Sequence, residues 1–131
     1  MRRNVKTSSQ NRLLAYRSGL WAEALCRFVL RTKGYRIVAT RHRSWQGETD
    51  IIAVRRRSLV FVEVKARKTE LEAAEAIKSR QRERMERCAA EFVSRNPRYA
   101  GYNIRFDAML VTPWKWPVHI TNAWEAQGQI R

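Results

Sequence analysis

The chain has 131 residues, 44% hydrophobic and 30% charged, which fits one globular domain and excludes a disordered or low-complexity chain. Lys and Arg total 27 against 12 Asp and Glu, a formal net charge of +15, and 21 of those cations are arginine. A surplus of this size, carried mainly by the side chain whose planar fork suits phosphate, points to a polyanionic partner, nucleic acid first.

No uncharged run approaches the ~20 residues of a membrane span, so no membrane partner is expected. Arg17, Glu23 and Arg27 also break up any signal-like apolar stretch near the N-terminus. Cys26 and Cys88 stand alone within apolar helical patterns and read as reduced core residues, in keeping with a cytoplasmic location. The two histidines and two cysteines show no ligand spacing, hence no zinc motif.

In chain order, residues 1–12 read as a basic, mobile arm and 13–131 as one domain. From about Leu13 to Lys33 the pattern is helical, with Gly34 as its stop signal. Leu20, Trp21, Ala24, Leu25, Phe28 and Val29 form one apolar stripe; Tyr16, Gly19, Glu23, Cys26 and Leu30 form a second. Glu23 thus lies on a mostly apolar ridge, beside a glycine that would allow another element to approach closely.

Three strands are predicted next, over 35–41, 48–54 and 59–65, with Arg55–Ser58 as the turn between the last two. One long helix is predicted from about Thr69 to Arg95, ended by Asn96-Pro97. Its apolar face comprises Leu71, Ala74, Ile77, Met85, Cys88, Ala89 and Phe92, with Gln81 among them. A fourth strand covers 103–112 and a short fifth 118–124. This order, α-β-β-β-α-β with a short C-terminal element, predicts an α/β fold: a mixed β-sheet flanked by helices.

Glu63 and Lys65 are embedded in a Val- and Phe-rich strand, where an unpaired charge would cost several kcal/mol. Strand alternation puts both on one face. Asp50 opens the preceding strand, and a two- or four-residue loop would pair positions of odd sum and bring it to that same face. We expect this register. Two carboxylates converging at strand ends make a hard-oxygen site for Mg²⁺ or Mn²⁺, and Lys65 could position water or stabilise charge on a phosphate. Glu-x-Lys alone reads first as a structural ion pair. The preceding Asp50, the apolar flanks and the charge of +15 turn the balance toward a metal site.

The blocks "GETDIIAV" and "LVFVEVKAR", with "GLWAEALCRFVLRTKGYRIVATRHR" before them and "RFDAMLV" and "ITNAW" after, resemble the small bacterial YraN-like family over roughly residues 15–125. That family is similar to the restriction-endonuclease-like PD-(D/E)xK nuclease superfamily, whose relatives include Holliday-junction resolvases and tRNA-endonuclease-like domains. The resemblance implies a divalent-metal nuclease. Asp50 and Glu63 would be metal ligands, Lys65 the catalytic lysine, Glu23 an acid contributed by the first helix, and Gln81 a polar accessory from the second. It also implies a homodimer by analogy. Thr49 stands where the family's motif has an apolar residue.

Several of these residues carry a structural reading as well. Glu48 could reach a metal or a basic neighbour. Glu23 could be a buried acid paired with Arg43, Gln81 a hydrogen bond closing the helix onto the sheet, and Arg105 with Asp107 a structural pair. Candidate phosphate contacts are Arg2, Arg3 and Lys6 in the arm, then Arg41 and Arg43, Arg55, Arg56 and Arg57, and Lys78, Arg80, Arg82, Arg84 and Arg87. Trp114 and Trp116 flank Lys115 in a way that could stack on bases, although core packing or a subunit contact is the first reading; Trp45 is the better substrate contact. The expected function is a divalent-metal-dependent endonuclease, structure-selective and acting on DNA before RNA. The rivals are a non-catalytic nucleic-acid-binding protein that keeps the same fold and a basic assembly factor.

Overall fold

The structure, a computed structural model, describes the backbone of residues 8–126 and the side chains of residues 19–126. Arg2, Arg3 and Lys6 lie outside the described residues. Helix α1 runs from Ser8 to Thr32, starting five residues before the sequence pattern placed it. It closes where expected: Gly34 adopts a left-handed φ of 89°, the Tyr35 N–H reaches Leu30 O at 3.0 Å, and the Gly34 N–H reaches Arg31 O at 3.1 Å. This is a Schellman cap, which a residue with a Cβ would strain.

Strands β1 (Arg36–Arg43), β2 (Glu48–Arg55) and β3 (Ser58–Ala66) follow as an antiparallel meander. A crossover then leads to β4 (Asn103–Val111), which lies parallel to β3, and β5 (Val118–Trp124) turns back against β4. The sheet order is β1-β2-β3-β4-β5, so β3 is central. A parallel neighbour requires a long crossover, and helices α2 (Glu70–Glu75) and α3 (Ser79–Arg95) supply it. The mixed sheet and its element order are those expected.

The helix predicted over 69–95 is in fact two. Ala76 to Lys78 break it, and Lys78 is extended at φ −96°, ψ 160°. The cause is a drift in the apolar pattern. Residues 73, 77, 81 and 85 recur every four positions, and each step overshoots a turn of 3.6 residues by roughly 40°. A break resets the phase, burying Ala73 and Ile77 from one segment and Met85, Cys88, Ala89 and Phe92 from the next. Leu71 and Ala74, expected on the apolar face, are exposed.

Helix α1 covers the opposite face of the sheet. Ala22, Cys26 and Leu30 pack there with Ile51, Ala53, Val60, Val62 and Met109, and Glu23 is buried on the same ridge. The other stripe, Leu20, Trp21 and Phe28, stays exposed. Small Ala22 and Cys26 let the helix sit close to the sheet, which leaves the bulky aromatic edge outside. Gly19 does not serve close packing: a Cβ there would meet nothing within 4 Å. Gly47 does, since a Cβ on it would fall 1.8 Å from Arg84 O, so α3 rests directly on the β1–β2 loop. Among the described residues no helix is long and apolar enough to cross a membrane.

Candidate metal centre at the fork of β2 and β3

The β2–β3 hairpin turns through two residues, Arg56 and Arg57, with Arg56 at a left-handed φ of 56°. Its pairs, from Arg55↔Ser58 to Ile51↔Val62, all sum to 113, the odd register expected. The regular ladder stops there. Asp50 and Glu63 come next on their strands, and instead of pairing through the backbone, Asp50 Oδ2 accepts the Val64 N–H at 2.8 Å. The strands therefore part at this point, and the carboxylate occupies the fork.

Around the fork lies a polar cleft of about 210 Å³, lined by Gly19, Glu23, Glu48, Asp50, Glu63, Lys65 and Gln81 among others. Glu63 is almost wholly buried; its Oε1 takes a hydrogen bond from Gln81 Nε2 at 2.7 Å and lies 3.1 Å from Lys65 Nζ. The structural role considered for Gln81 is thus present, and it acts on Glu63 itself. Glu23 enters from α1. It pairs with Arg41, whose Nε lies 3.6 Å from Glu23 Oε1, rather than with Arg43, which lies 3.6 Å from Glu48. Arg41 holds this place with a left-handed φ of 52°, a conformation that costs a non-glycine residue about 1–2 kcal/mol. Arg84 also reaches Glu48, at 3.6 Å.

The electrostatics follow from burial. Desolvation, then the Asp50 charge, push the Glu63 carboxyl up to about 8 against the opposing Lys65. Asp50 is raised mainly by burial, against the Val64 N–H and Lys65. Glu23 is raised by burial and then by Asp50, with Arg41, Arg27 and Arg43 opposing. Three acids that resist ionising together leave a cleft with a deficit of positive charge.

The residues suit a hard divalent cation in three respects. The donors are carboxylate oxygens, which Mg²⁺ and Mn²⁺ prefer. Glu23 Oε1 is buried with no hydrogen-bond partner, since 3.6 Å to Arg41 is beyond hydrogen-bond range. Gly19 keeps the mouth of the cleft open, with no atom where its Cβ would be. Among the described residues no group of three or more Asp, Glu, His or Cys could hold an ion unaided. Mg²⁺ sites built on one or two carboxylates, with water and phosphate completing the shell, have this character.

Not every candidate arginine is near. Arg41, Arg43 and Arg84 surround the acids. Arg55, Arg56 and Arg57 lie at the opposite end of the hairpin, about 17 Å away at ~3.3 Å per residue. Arg55 stacks over Tyr35 at 5.4 Å and Arg57 over Tyr102 at 4.7 Å. Arg82 lies 5.4 Å from the Trp124 ring, while Arg80 is exposed at the start of α3. Sequence reasoning missed Gly47 and the Val64 N–H; the first was visible as the glycine opening "GETD", whereas a backbone donor leaves no signal.

The fold and the fork define a class: a mixed α/β protein with an acid–acid–lysine cleft where two central strands separate. The profile of the uncharacterised protein family UPF0102 matches residues 22–111, which takes in Glu23, Glu48, Asp50, Glu63, Lys65 and Gln81 of the cleft and all of β4. The chain belongs to this family, the YraN-like family of the sequence resemblance. It is similar to a UPF0102 protein of Parvibaculum lavamentivorans, 48% identical over 86% of this chain and 84% of the relative. Another relative, from Mesorhizobium japonicum, is 48% identical over 88% of this chain and 92% of its own length. A third, from Bradyrhizobium diazoefficiens, is 42% identical over 92% and 91%.

Proposed function

We propose that the protein is a divalent-metal-dependent endonuclease of restriction-endonuclease-like, PD-(D/E)xK type, hydrolysing phosphodiester bonds in nucleic acid, DNA before RNA. The observation that carries the reading is the fork: half-buried Asp50 beside buried Glu63, with Lys65 3.1 Å from Glu63 and Glu23 facing them without a hydrogen bond on Oε1. A purely structural ion pair would not need three acids whose burial holds their pKa values up.

Asp50 and Glu63 would hold the Mg²⁺ or Mn²⁺. Such an ion, when bound, offsets phosphate charge and lowers the pKa of water. Lys65 Nζ would donate a hydrogen bond to a non-bridging phosphate oxygen and stabilise the charge that develops there. Glu23, its proton affinity raised by burial and by the Asp50 charge, would accept a proton from the attacking water. Gln81 fixes the orientation of Glu63. Arg41, Arg43 and Arg84 line the approach and suit the flanking phosphates, and the net charge of +15 brings the polyanion in.

One observation favours the rival, a nucleic-acid-binding protein that turns nothing over: among the described residues no three ligand side chains are grouped tightly. Incubation with flapped, branched, single-stranded and duplex substrates in Mn²⁺ separates the two. Cleavage that disappears in Asp50→Ala, Glu63→Ala and Lys65→Ala is the expected result. Salt-sensitive binding with no cleavage of any substrate leaves the rival.

A further inference from the structure

Among the described residues a larger concavity, mostly apolar, lies beside the cleft. It encloses about 800 Å³, and its lining includes Trp21, Trp114 and Trp116 with Arg67, Lys68 and Lys115. Because β3 and β4 run parallel in register, with Ala66 beside Val111, the β4–β5 turn stands next to the segment that follows Lys65. The Arg67 N–H bonds Val111 O at 3.0 Å and ties the two together. Ala22 and Ala66 line both the groove and the acid cleft, so the two are continuous.

Its aromatics are not core. Trp114 is fully exposed, and Trp21 and Trp116 are each more than two-thirds exposed. This corrects the core-packing half of the first sequence reading of Trp114 and Trp116; the other half, a subunit contact, is an outcome of the test below. Trp114 also sits at a left-handed φ of 65°, an uncommon conformation for a bulky side chain, directly after Pro113. Trp116 stacks on Phe28 of α1 with centroids 6.4 Å apart and planes 15° from parallel, which leaves its other face outward. The turn that requires this φ between β4 and β5 carries the Trp114 indole out into solvent.

We infer that this groove binds unpaired bases of single-stranded DNA next to the cleft, making the substrate a nucleic acid with a single-stranded arm. Flat indoles interleaved with Arg67, Lys68 and Lys115 match the two demands of a single strand: faces on which bases stack and cations that follow the phosphates. The charge is complementary to DNA and is the wrong sign for a second copy of this chain, itself at +15. Apart from the indole N–H groups, Thr112 is the only neutral hydrogen-bonding side chain among the lining residues, so the groove offers stacking faces and cations rather than readers of base edges.

The inference rests on the nucleic-acid reading but not on cleavage, so it is tested without metal. Fluorescence anisotropy in EDTA compares a blunt DNA duplex, the same duplex with a single-stranded thymidine tail, and one with a uridine RNA tail. Tailed DNA should bind more tightly than blunt, by roughly 5- to 150-fold for each stacked base. Trp114→Ala/Trp116→Ala should abolish that preference, Trp114→Phe/Trp116→Phe should retain it, and both variants should melt as the parent does because the rings are exposed. Equal binding of blunt and tailed DNA overturns the inference, as does a preference that survives the alanine variant. An RNA tail bound more tightly than DNA overturns the assignment to DNA. A parent dimer that the alanine variant dissociates, with DNA binding unchanged, means the groove joins two copies and overturns it too. Cleavage failing while tail preference holds sinks only the nuclease; the reverse sinks only this groove.

Discussion

Two buried carboxylate sites lie on neighbouring strands and opposite faces of the same sheet, and they have opposite fates. Asp107 on β4 is beside Val62, the residue before Glu63 on β3. It is 0% exposed and fully satisfied: Arg105 Nε and a terminal guanidinium nitrogen donate to its two oxygens at 2.8 Å each, and the Asn122 N–H donates at 2.9 Å. His119 Nε2 approaches at 2.7 Å. Lys33 Nζ lies 3.0 Å from His119 Nδ1, and as lysine can only donate, the ring proton is placed on Nε2, facing Asp107. Burial alone would raise this carboxyl, but the donors outweigh it and hold the pKa below its usual value.

At the fork the sum comes out the other way. Glu63 has Lys65 and Gln81 but faces Asp50, and burial pushes it up to about 8. The lesson is that burial does not itself mark a functional acid. Asp107 is as deeply buried as any residue here, yet its satisfied donors make it a structural pin between β4 and β5. The acids of the fork hold an unmet demand for positive charge, and that is what a cation would supply.

The largest effect that sharpens this contrast is expected at Asp107. Asp107→Ala removes the acceptor of Arg105 Nε, His119 and the Asn122 N–H, leaving Arg105 only the Tyr35 hydroxyl, and should destabilise the fold by about 3–5 kcal/mol. Because its pKa is depressed in the fold, its stabilisation is present above the unfolded value of 3.8 and is lost as pH falls through the folded one. Urea denaturation should therefore show the deficit undiminished at neutral pH and shrinking on acidification below about 3.8.

Glu63→Gln should do the opposite. A carboxyl raised from 4.5 to about 8 favours the fold fully below 4.5 and loses that advantage as pH rises through 8. The parent should weaken over this range relative to Glu63→Gln, whose amide keeps an acceptor for Lys65 and Gln81. Between pH 4.5 and alkaline pH the stability difference should therefore swing toward the variant by up to about 5 kcal/mol. If Glu63→Gln instead destabilises at every pH, the fork is another Asp107-like pin and the contrast fails.

A smaller effect belongs to Gly47→Ala. Its Cβ would meet Arg84 O at 1.8 Å, so α3 must move off the loop, at a cost of about 1–3 kcal/mol. That shift should loosen the Gln81–Glu63 contact and leave the Asp107 cluster untouched. Amide exchange in α3 and at Asn122 reads the two sites separately.

Much of this was legible beforehand. The odd-sum register of β2 and β3, the Arg105–Asp107 pair and the mixed sheet follow from strand alternation and turn length, which are local rules. What was not legible depends on tertiary detail. The break at Ala76–Lys78 is a phase error that emerges only when one helix must follow the sheet for two segments. The choice of α1's buried stripe turned on the small volumes of Ala22 and Cys26 rather than on total hydrophobicity. The entry of His119 into the Asp107 cluster depends on the register shift of β5 against β4.

The central claim, that the fork is a cation site and Asp107 a structural one, is tested most directly by Mn²⁺ titration calorimetry on the parent and Glu63→Gln. Binding must displace the proton that burial retains on Glu63. Affinity of the parent should therefore rise about tenfold per pH unit from about 6 toward about 8, with proton release that scales with the buffer's ionisation enthalpy. Glu63→Gln should bind weakly, with little dependence on pH. No uptake by the parent at any pH, or uptake that Glu63→Gln leaves unchanged, would contradict the account.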